Sequence, residues 1–360
     1  MDLDALVDRP TTRPWTPTGE GELRVACVGV GWWTREYALP ALEAGENTVP
    51  TVLVTGAPER VGDVCAEYST VEQAVSYDAF ADGIAADAYD AVYVATPNGT
   101  HLDHVAAAAS LGKDTLCEKP LEASVERATE LVETVEAAGT RLMVGYRMQT
   151  DPTVRRLREL VRAGFVGDPV SVHAHMSQDL LAFFGADDWR LDGELGGRGC
   201  SVTDLGVYPI NTARFLLDAD PVSVVADGES TTPAFEGVPD ERATFEVRLD
   251  DGTPVSCSVS QHAQLTGWLN VVGTDGAIEL TPAFFGNDEQ SLRLSHGERV
   301  EHVTYTPADQ MREEFVWFAD RILSGESFEA NGRHGLVDMR TIDAVYDAIE
   351  SGERERVSAP

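Results

Sequence analysis

The chain has 360 residues, 43% of them hydrophobic and 8% aromatic, which is enough for ordinary cores and long enough to predict two domains. Its 61 acidic residues outnumber 27 Lys and Arg, and the formal net charge of -34 excludes nucleic acid and anionic membrane surfaces as partners, since both need a basic footprint. The acids are dispersed rather than gathered in a tail, which predicts adaptation to a salt-rich cytoplasm, where ~1 M salt screens charges within ~3 Å.

Residues 1–20 carry Pro10, Pro14, Pro17 and Trp15 and are expected to form an extended arm. The start is acidic, with no apolar segment of the kind a secretory signal needs, and no apolar run approaches the ~20 residues of a membrane span. Five scattered cysteines without a C-x-x-C pair fit a reducing cytosol and no structural zinc, so a cytoplasmic location is expected.

The apolar strand at 23–28 runs directly into Gly29-Val30-Gly31-Trp32-Trp33-Thr34. Strand, glycine turn and helix in this order are the setting of a dinucleotide fingerprint: Gly29 permits the tight turn, and Gly31 lets a pyrophosphate approach the helix start. Thr34 stands where the third glycine is usual. The second strand, 52–55, ends in Thr55-Gly56-Ala57-Pro58-Glu59-Arg60, with no acid at the position that would hold a ribose 2′-hydroxyl. Thr55, Gly56 and Arg60 suit a 2′-phosphate instead, which favours NADP over NAD. Strands at 91–96 and 114–117 follow, the first leading into Pro97-Asn98-Gly99-Thr100-His101 and the second into Glu118-Lys119-Pro120. A helix at 125–138 and a strand at 142–144 complete a βαβ series and place a domain boundary near 145. The expected divisions are therefore an arm 1–20, a doubly wound Rossmann domain 21–145 and a second domain 146–360.

Beyond 145 the pattern changes. Helices are expected at 153–163 and 201–217, and strands at 169–175, 222–226, 242–249, 254–262, 268–272 and 277–280, joined by short turns such as Asp250-Asp251-Gly252. This predicts an α+β domain on an open, mostly antiparallel sheet, with tail helices at 308–323 and 335–350. His173 and His175 alternate on a strand without a third ligand in register, so no metal is expected.

Lys119 is one of two lysines among 27 basic residues, and a position that keeps an ammonium where arginine is the default suits a compact charge of adjustable pKa. Asp204 and Tyr208, four apart after Gly196-Gly197-Arg198-Gly199, share a helix face. Together with Lys119 they make a proton-transfer set, because a tyrosine, ordinarily near pKa ~10, becomes a base when a cation lowers it.

These pieces resemble the glucose-fructose oxidoreductase and inositol dehydrogenase family from about residue 22 onward: Gly29-Val30-Gly31, the run 95–101, Cys117-Glu118-Lys119-Pro120, Gly145-Tyr146-Arg147, Asp188-Trp189-Arg190 and Asp204-Leu205-Gly206-Val207-Tyr208. The resemblance implies a Rossmann domain plus a large, mostly antiparallel sheet that serves as oligomer interface in a homodimer or homotetramer. It gives Lys119 the role of catalytic lysine, Asp204 that of substrate-orienting carboxylate and Tyr208 that of acid/base. It extends the NADP site to Trp32, Trp33, Thr34, Thr96, Pro97, Asn98, His101, Glu118, Lys119, Arg147, Trp189 and Arg190, beside Gly29, Gly31, Thr55, Gly56 and Arg60. The sugar contacts expected are Lys119, Arg147, His175, Asp179, Asp204, Tyr208 and Asn211, with Phe183, Phe184 and Trp189 as a wall against a hexose. Tyrosine at 208 points away from the inositol branch, which has histidine there, and toward NADP-dependent oxidation of a cyclic aldose at C1, D-xylose first. The alternatives are a glucose, dihydrodiol or anhydro-sugar enzyme on the same frame, and a non-catalytic NADP-binding regulator.

Overall fold

The computed structural model describes residues 3–285 and 288–358, which form two compact units. The first unit comprises Trp15–Arg147 and Met311–Leu336. Its sheet has six parallel strands, β1 (Leu23–Val28), β2 (Thr48–Val54), β3 (Gln73–Val75), β4 (Ala91–Val94), β5 (Asp114–Glu118) and β6 (Leu142–Gly145), in the order β3-β2-β1-β4-β5-β6. β2 and β4 are buried at every position, as near-continuous apolar strands covered on both faces must be. Because β1 lies between β2 and β4, the chain departs in opposite directions on its two sides, and a crevice opens at the carboxyl ends of these strands. The helix Val125–Ala138 starts at Ser124, whose hydroxyl accepts the Arg127 N–H, and stops at Gly139 with φ +70°.

The units differ from the divisions drawn from sequence. The tail helix, Gln310–Ser324, was expected in the second domain, yet Met311–Leu336 belongs to the first unit. Phe315 meets Tyr93 edge-on with ring centroids 5.0 Å apart, Phe318 stacks on Phe328, and the Val144 N–H donates to the Ala330 carbonyl at 2.7 Å. An amphipathic pattern announces a helix but not the surface that it returns to cover. The arm is divided as well. Leu3–Asp8 is helical with Leu6 fully buried, and Thr153 donates to the Pro10 carbonyl, all within the second unit. Trp15 packs edge-on against Trp317, and the N–H groups of Thr18 and Gly19 donate to Asp320, within the first. Apolar anchors and a buried carboxylate hold a segment whose prolines suggested only an extended strap.

The second unit, built from residues up to Pro14, Met148–Gln310 and residues from Val337, carries a nine-stranded sheet. Its strands are β7 (Pro169–Asp179), β8 (Pro221–Glu229), β9 (Arg242–Leu249), β10 (Pro254–Ser260), β11 (His262–Gly273), β12 (Gly276–Thr281), β13 (Gln290–His296), β14 (Arg299–Tyr305) and β15 (Glu355–Arg356). The order is β14-β13-β12-β11-β7-β10-β9-β8-β15, antiparallel except for β7 against β10. The sequence does not announce β13 and β14, whose alternation is diluted by Arg, His and Glu. Val172, Ala174 and Met176 of β7, with Phe245 of β9 and Cys257 of β10, form the buried face against the helix Val207–Leu217. The other face presents His173, His175 and Trp268 and bears a groove of about 510 Å³, bordered also by Asp227, Glu246 and Ser256. Among the described residues no helix is long and apolar enough to cross a membrane.

Candidate active site

In the first unit the carboxyl ends of the strands gather the dinucleotide residues. Gly29 leaves β1 with φ +90°, and a Cβ there would stand 2.5 Å from the Ala95 carbonyl oxygen, so a side chain would force the β1 and β4 ends apart. A Cβ at Gly31, by contrast, would meet nothing within 4 Å. One glycine closes the turn and the next leaves open space, the shape that a pyrophosphate backbone contact requires. Thr34 takes the third glycine's place as a fully buried residue whose hydroxyl donates to the Gly29 carbonyl at 2.5 Å. It fixes the loop from behind rather than facing a ligand. Past β2, no acid stands at the ribose position, and Gly56 has only the Tyr77 ring within 4 Å of a would-be Cβ. These residues fit an NADP molecule.

Thr96, Pro97 and Asn98 form the turn after β4, where the Thr100 hydroxyl donates to the Pro97 carbonyl at 2.8 Å and lies 2.9 Å from the Thr96 hydroxyl. His101, expected at the cofactor, is fully buried: one ring nitrogen lies 2.9 Å from the Thr96 carbonyl and the other 3.2 Å from that of Leu121. Burial holds its pKa below the usual imidazole value. It therefore braces the turn instead of lining a cleft.

At the end of β5, Glu118 Oε1 accepts the Tyr93 hydroxyl at 2.8 Å and the Trp33 indole N–H at 3.2 Å, while Oε2 accepts the Lys119 backbone N–H. Trp33 is stacked on Tyr37, and the Arg147 guanidinium lies 5.6 Å from its ring centre. Trp32 is half exposed on the same turn. The glycine loop, β4 and the Lys119 segment are thus tied through one carboxylate. Burial, then the Glu118 charge, pushes the Tyr93 phenol well above its usual pKa, so this hydroxyl stays a donor. Glu314, from the returning helix, is fully buried with neither carboxylate oxygen hydrogen-bonded among the described residues; burial and then Glu118 raise its pKa well above the carboxylate range.

In the second unit Asp204 sits in a π-helical turn, Val202–Gly206, that leads into the helix Val207–Leu217 carrying Tyr208. Such wide turns frequently mark functional sites. The entry is clamped by Asp240, whose carboxylate accepts the N–H groups of Cys200 and Val202 at 2.8 and 2.7 Å and the Tyr346 hydroxyl at 2.9 Å. Burial raises the Asp240 pKa to about 6. Asp204 Oδ2 accepts the Gln261 amide at 2.9 Å and Arg190 Nε at 3.2 Å. Arg190 also donates to Asp188 and lies over the rings of Phe184 and Trp189. Trp189 and Arg190, expected at the cofactor, thus stand in the group that holds Asp204. Tyr208 is nearly buried, its ring 6.2 Å from that of Phe284.

Two expected sugar ligands, Asn211 and His175, are corrected, and a third, Asp179, has a role in the fold. Asn211 is buried, accepting from Gln149 at 2.9 Å and donating to Asp338 at 2.7 Å, in a helix covered on all sides. His175 shares the open sheet face with Trp268 and is hydrogen-bonded to Ser258 and Ser177, opposite the face that packs on the Tyr208 helix. Asp179 caps the short helix Leu180–Phe183 by accepting the Ala182 N–H. Sequence reasoning missed Gln261, Asp240 and Tyr93. None lies in a motif, and each acts through a fold contact.

Two family models match the chain: an oxidoreductase family with an NAD-binding Rossmann fold over residues 23–146, and the GFO/IDH/MocA C-terminal domain over residues 154–279. The D-xylose 1-dehydrogenase [NADP(+)] of Haloarcula marismortui is 45% identical over 99% of this chain and 100% of its own. The D-xylose 1-dehydrogenase (NADP(+)) 2 of Haloferax volcanii is 34% identical over 92% of this chain and 97% of its own. Among solved structures, the aldose-aldose oxidoreductase of Caulobacter crescentus complexed with glycerol superposes with a TM-score of 0.86 at 27% identity, covering 93% of this chain and 99% of that one. The chain belongs to the GFO/IDH/MocA family of oxidoreductases.

Proposed function

We propose that this protein is an NADP-dependent D-xylose 1-dehydrogenase that oxidises the cyclic sugar at C1 to D-xylonolactone in pentose catabolism. The observation that carries this is the full-length likeness to the Haloarcula enzyme. NADP, when bound, supplies the hydride acceptor. In this proposal Tyr208 is the acid/base that takes the proton of the C1 hydroxyl, and Lys119 is the catalytic lysine. Asp204, held by Gln261 and Arg190, accepts a sugar hydroxyl and orients the ring. Gly29 and Gly31 leave room for the pyrophosphate. The acidic, lysine-poor surface suits a salt-rich cytoplasm. The open face of the nine-stranded sheet suits association into a homodimer or homotetramer. The test is NADP reduction by purified protein in molar KCl against a panel of aldoses. D-xylose should lead in kcat/KM, and an enzyme that oxidises no aldose overturns the proposal.

A further inference from the structure

An NADP enzyme must place a cation against the 2′-phosphate where β2 ends. Arg60, the cation that the sequence suggests, is 82% exposed, in a short 3₁₀ turn with its guanidinium 3.7 Å from Glu59 next door. A long side chain so loosely held loses much rotamer freedom on binding. Arg35 is placed differently. Its Nε donates to the Val30 carbonyl, inside the glycine loop, at 3.3 Å, and its Nη1 lies 3.4 Å from Asp63 Oδ2. Asp63 belongs to the first turn of the helix Gly62–Glu67, which directly follows the segment after β2. The guanidinium thus reaches from the glycine loop to the chain beyond β2, the two walls between which an adenosine ribose lies in this fold. Its side chain is 36% exposed and that of Asp63 70%, so the pair is long, solvated and readily exchanged for a stronger anion.

We propose that Arg35 is the principal 2′-phosphate ligand, and that Asp63 is the internal carboxylate with which the phosphate competes. This rests on the NADP assignment and adds the residue responsible for it. A phosphate offers three acceptor oxygens to a planar fork already anchored through Nε, whereas Asp63 engages a single N–H at the edge of hydrogen-bonding distance.

The experiment is calorimetric titration with 2′,5′-ADP and with 5′-AMP, which differ by the 2′-phosphate and require no turnover. The native protein should bind 2′,5′-ADP more tightly. Arg35→Gln should weaken 2′,5′-ADP by about 10-fold or more, as expected for a lost charged hydrogen bond, and leave 5′-AMP within about 2-fold. Asp63→Asn should tighten 2′,5′-ADP, and Arg60→Gln should cost less than Arg35→Gln. Arg35→Lys keeps the charge without the fork and should fall between, which guards against a glutamine variant that fails to fold. If Arg35→Gln leaves a native preference for 2′,5′-ADP unchanged, this proposal falls while the NADP assignment stands. If the native protein does not distinguish the two nucleotides, both fall.

Discussion

The Gln261 amide nitrogen lies 2.9 Å from Asp204 Oδ2, and Gln261 is itself fixed by the Gln178 amide, which donates to its Oε1 at 2.8 Å. Gln261 stands at the break between β10 and β11, while Asp204 stands on the helical side of the sheet, so a strand end sets the orientation of a helical carboxylate. Gln261→Leu removes a donor to a charged acceptor, worth about 1.5–3 kcal/mol. The expected result is a D-xylose KM raised about 10-fold or more, with the dissociation constant for NADP unchanged. Steady-state kinetics beside cofactor titration checks this, and an unaltered KM would remove Gln261 from the site.

Tyr208→Phe and Lys119→Ala should each lower kcat by roughly 10²–10⁴-fold, the scale of positioned acid/base catalysis. Both proteins should still bind NADP, as read by quenching of tryptophan fluorescence. Wild-type turnover in Tyr208→Phe would refute the base assignment.

Two buried acids should give opposite pH dependences of stability. Burial and the Glu118 charge raise the folded-state pKa of Glu314. The native state therefore keeps a proton that the unfolded chain loses above its ordinary value near 4.5, and stability drains as pH rises from there toward the folded pKa. Glu314→Gln removes that slope, and its melting temperature should gain on the native protein between pH 5 and 8. Glu241 accepts the N–H groups of Thr231 and Thr232 and a hydrogen bond from His262, and its pKa is lowered to about 2 despite the cost of burial. Its contribution is fully present above pH 4.5 and lost as pH falls toward 2. Glu241→Gln should therefore destabilise at pH 7 and converge on the native protein in acid. A melting-temperature gap that does not change with pH would contradict either assignment.

The features legible in the sequence are those whose physics is local. An apolar run ending in Gly29-x-Gly31 states its own turn, and Asp114–Glu118 leads straight to Lys119, so both stand at the strand ends that the sequence indicates. Thr34 departs from the glycine pattern, and only the fold shows its hydroxyl closing on Gly29. His175 stands on the open sheet face, and its strand carries the signal for this: it alternates with Ala174 and Met176, which are the buried positions. Asn211 lies between Ile210 and Thr212 in a helix buried on every side, where an amide serves the core rather than a ligand. Glu314, Asp240 and Gln261 were out of reach, because each acquires its role from a segment tens of residues or more away.

The surface charge should make stability depend on salt. On the last helix Asp343, Asp347 and Glu350 converge on Arg198, at 2.7, 2.7 and 2.9 Å, each acid substantially exposed. Exposed pairs of this kind contribute little singly, but removing the arginine leaves three like charges on one helical face. The native melting temperature should rise with KCl, by ~2–4 °C for each ~1 kcal/mol of repulsion relieved. Arg198→Ala should be destabilised at 0.2 M KCl by more than at 2 M, and equal losses at both would show that repulsion is not what Arg198 relieves.

Sugar selectivity should reside in the aromatic pair around Arg190. Its guanidinium lies 4.7 Å from the ring centre of Phe184 and 4.5 Å from that of Trp189, and its Nε reaches Asp204. These rings therefore flank the group that holds the carboxylate proposed to orient the sugar, whereas Phe183 is 57% exposed and packs only loosely against Phe184. A pentose differs from a hexose by one hydroxymethyl group, and a simple pocket discriminates such a group by ~1–3 kcal/mol, or about 10–200-fold in kcat/KM. Phe184→Ala opens space beside Arg190 while leaving its hydrogen bonds to Asp188 and Asp204 intact. It should raise kcat/KM for D-glucose relative to D-xylose by about 10-fold. Trp189→Ala should do so less cleanly, because Trp189 begins the 3₁₀ turn that carries Arg190 and its loss should also raise the D-xylose KM. Phe183→Ala should change neither. Kinetics of the three variants on both sugars decides the matter, and an unchanged ratio in Phe184→Ala would place the hexose barrier elsewhere.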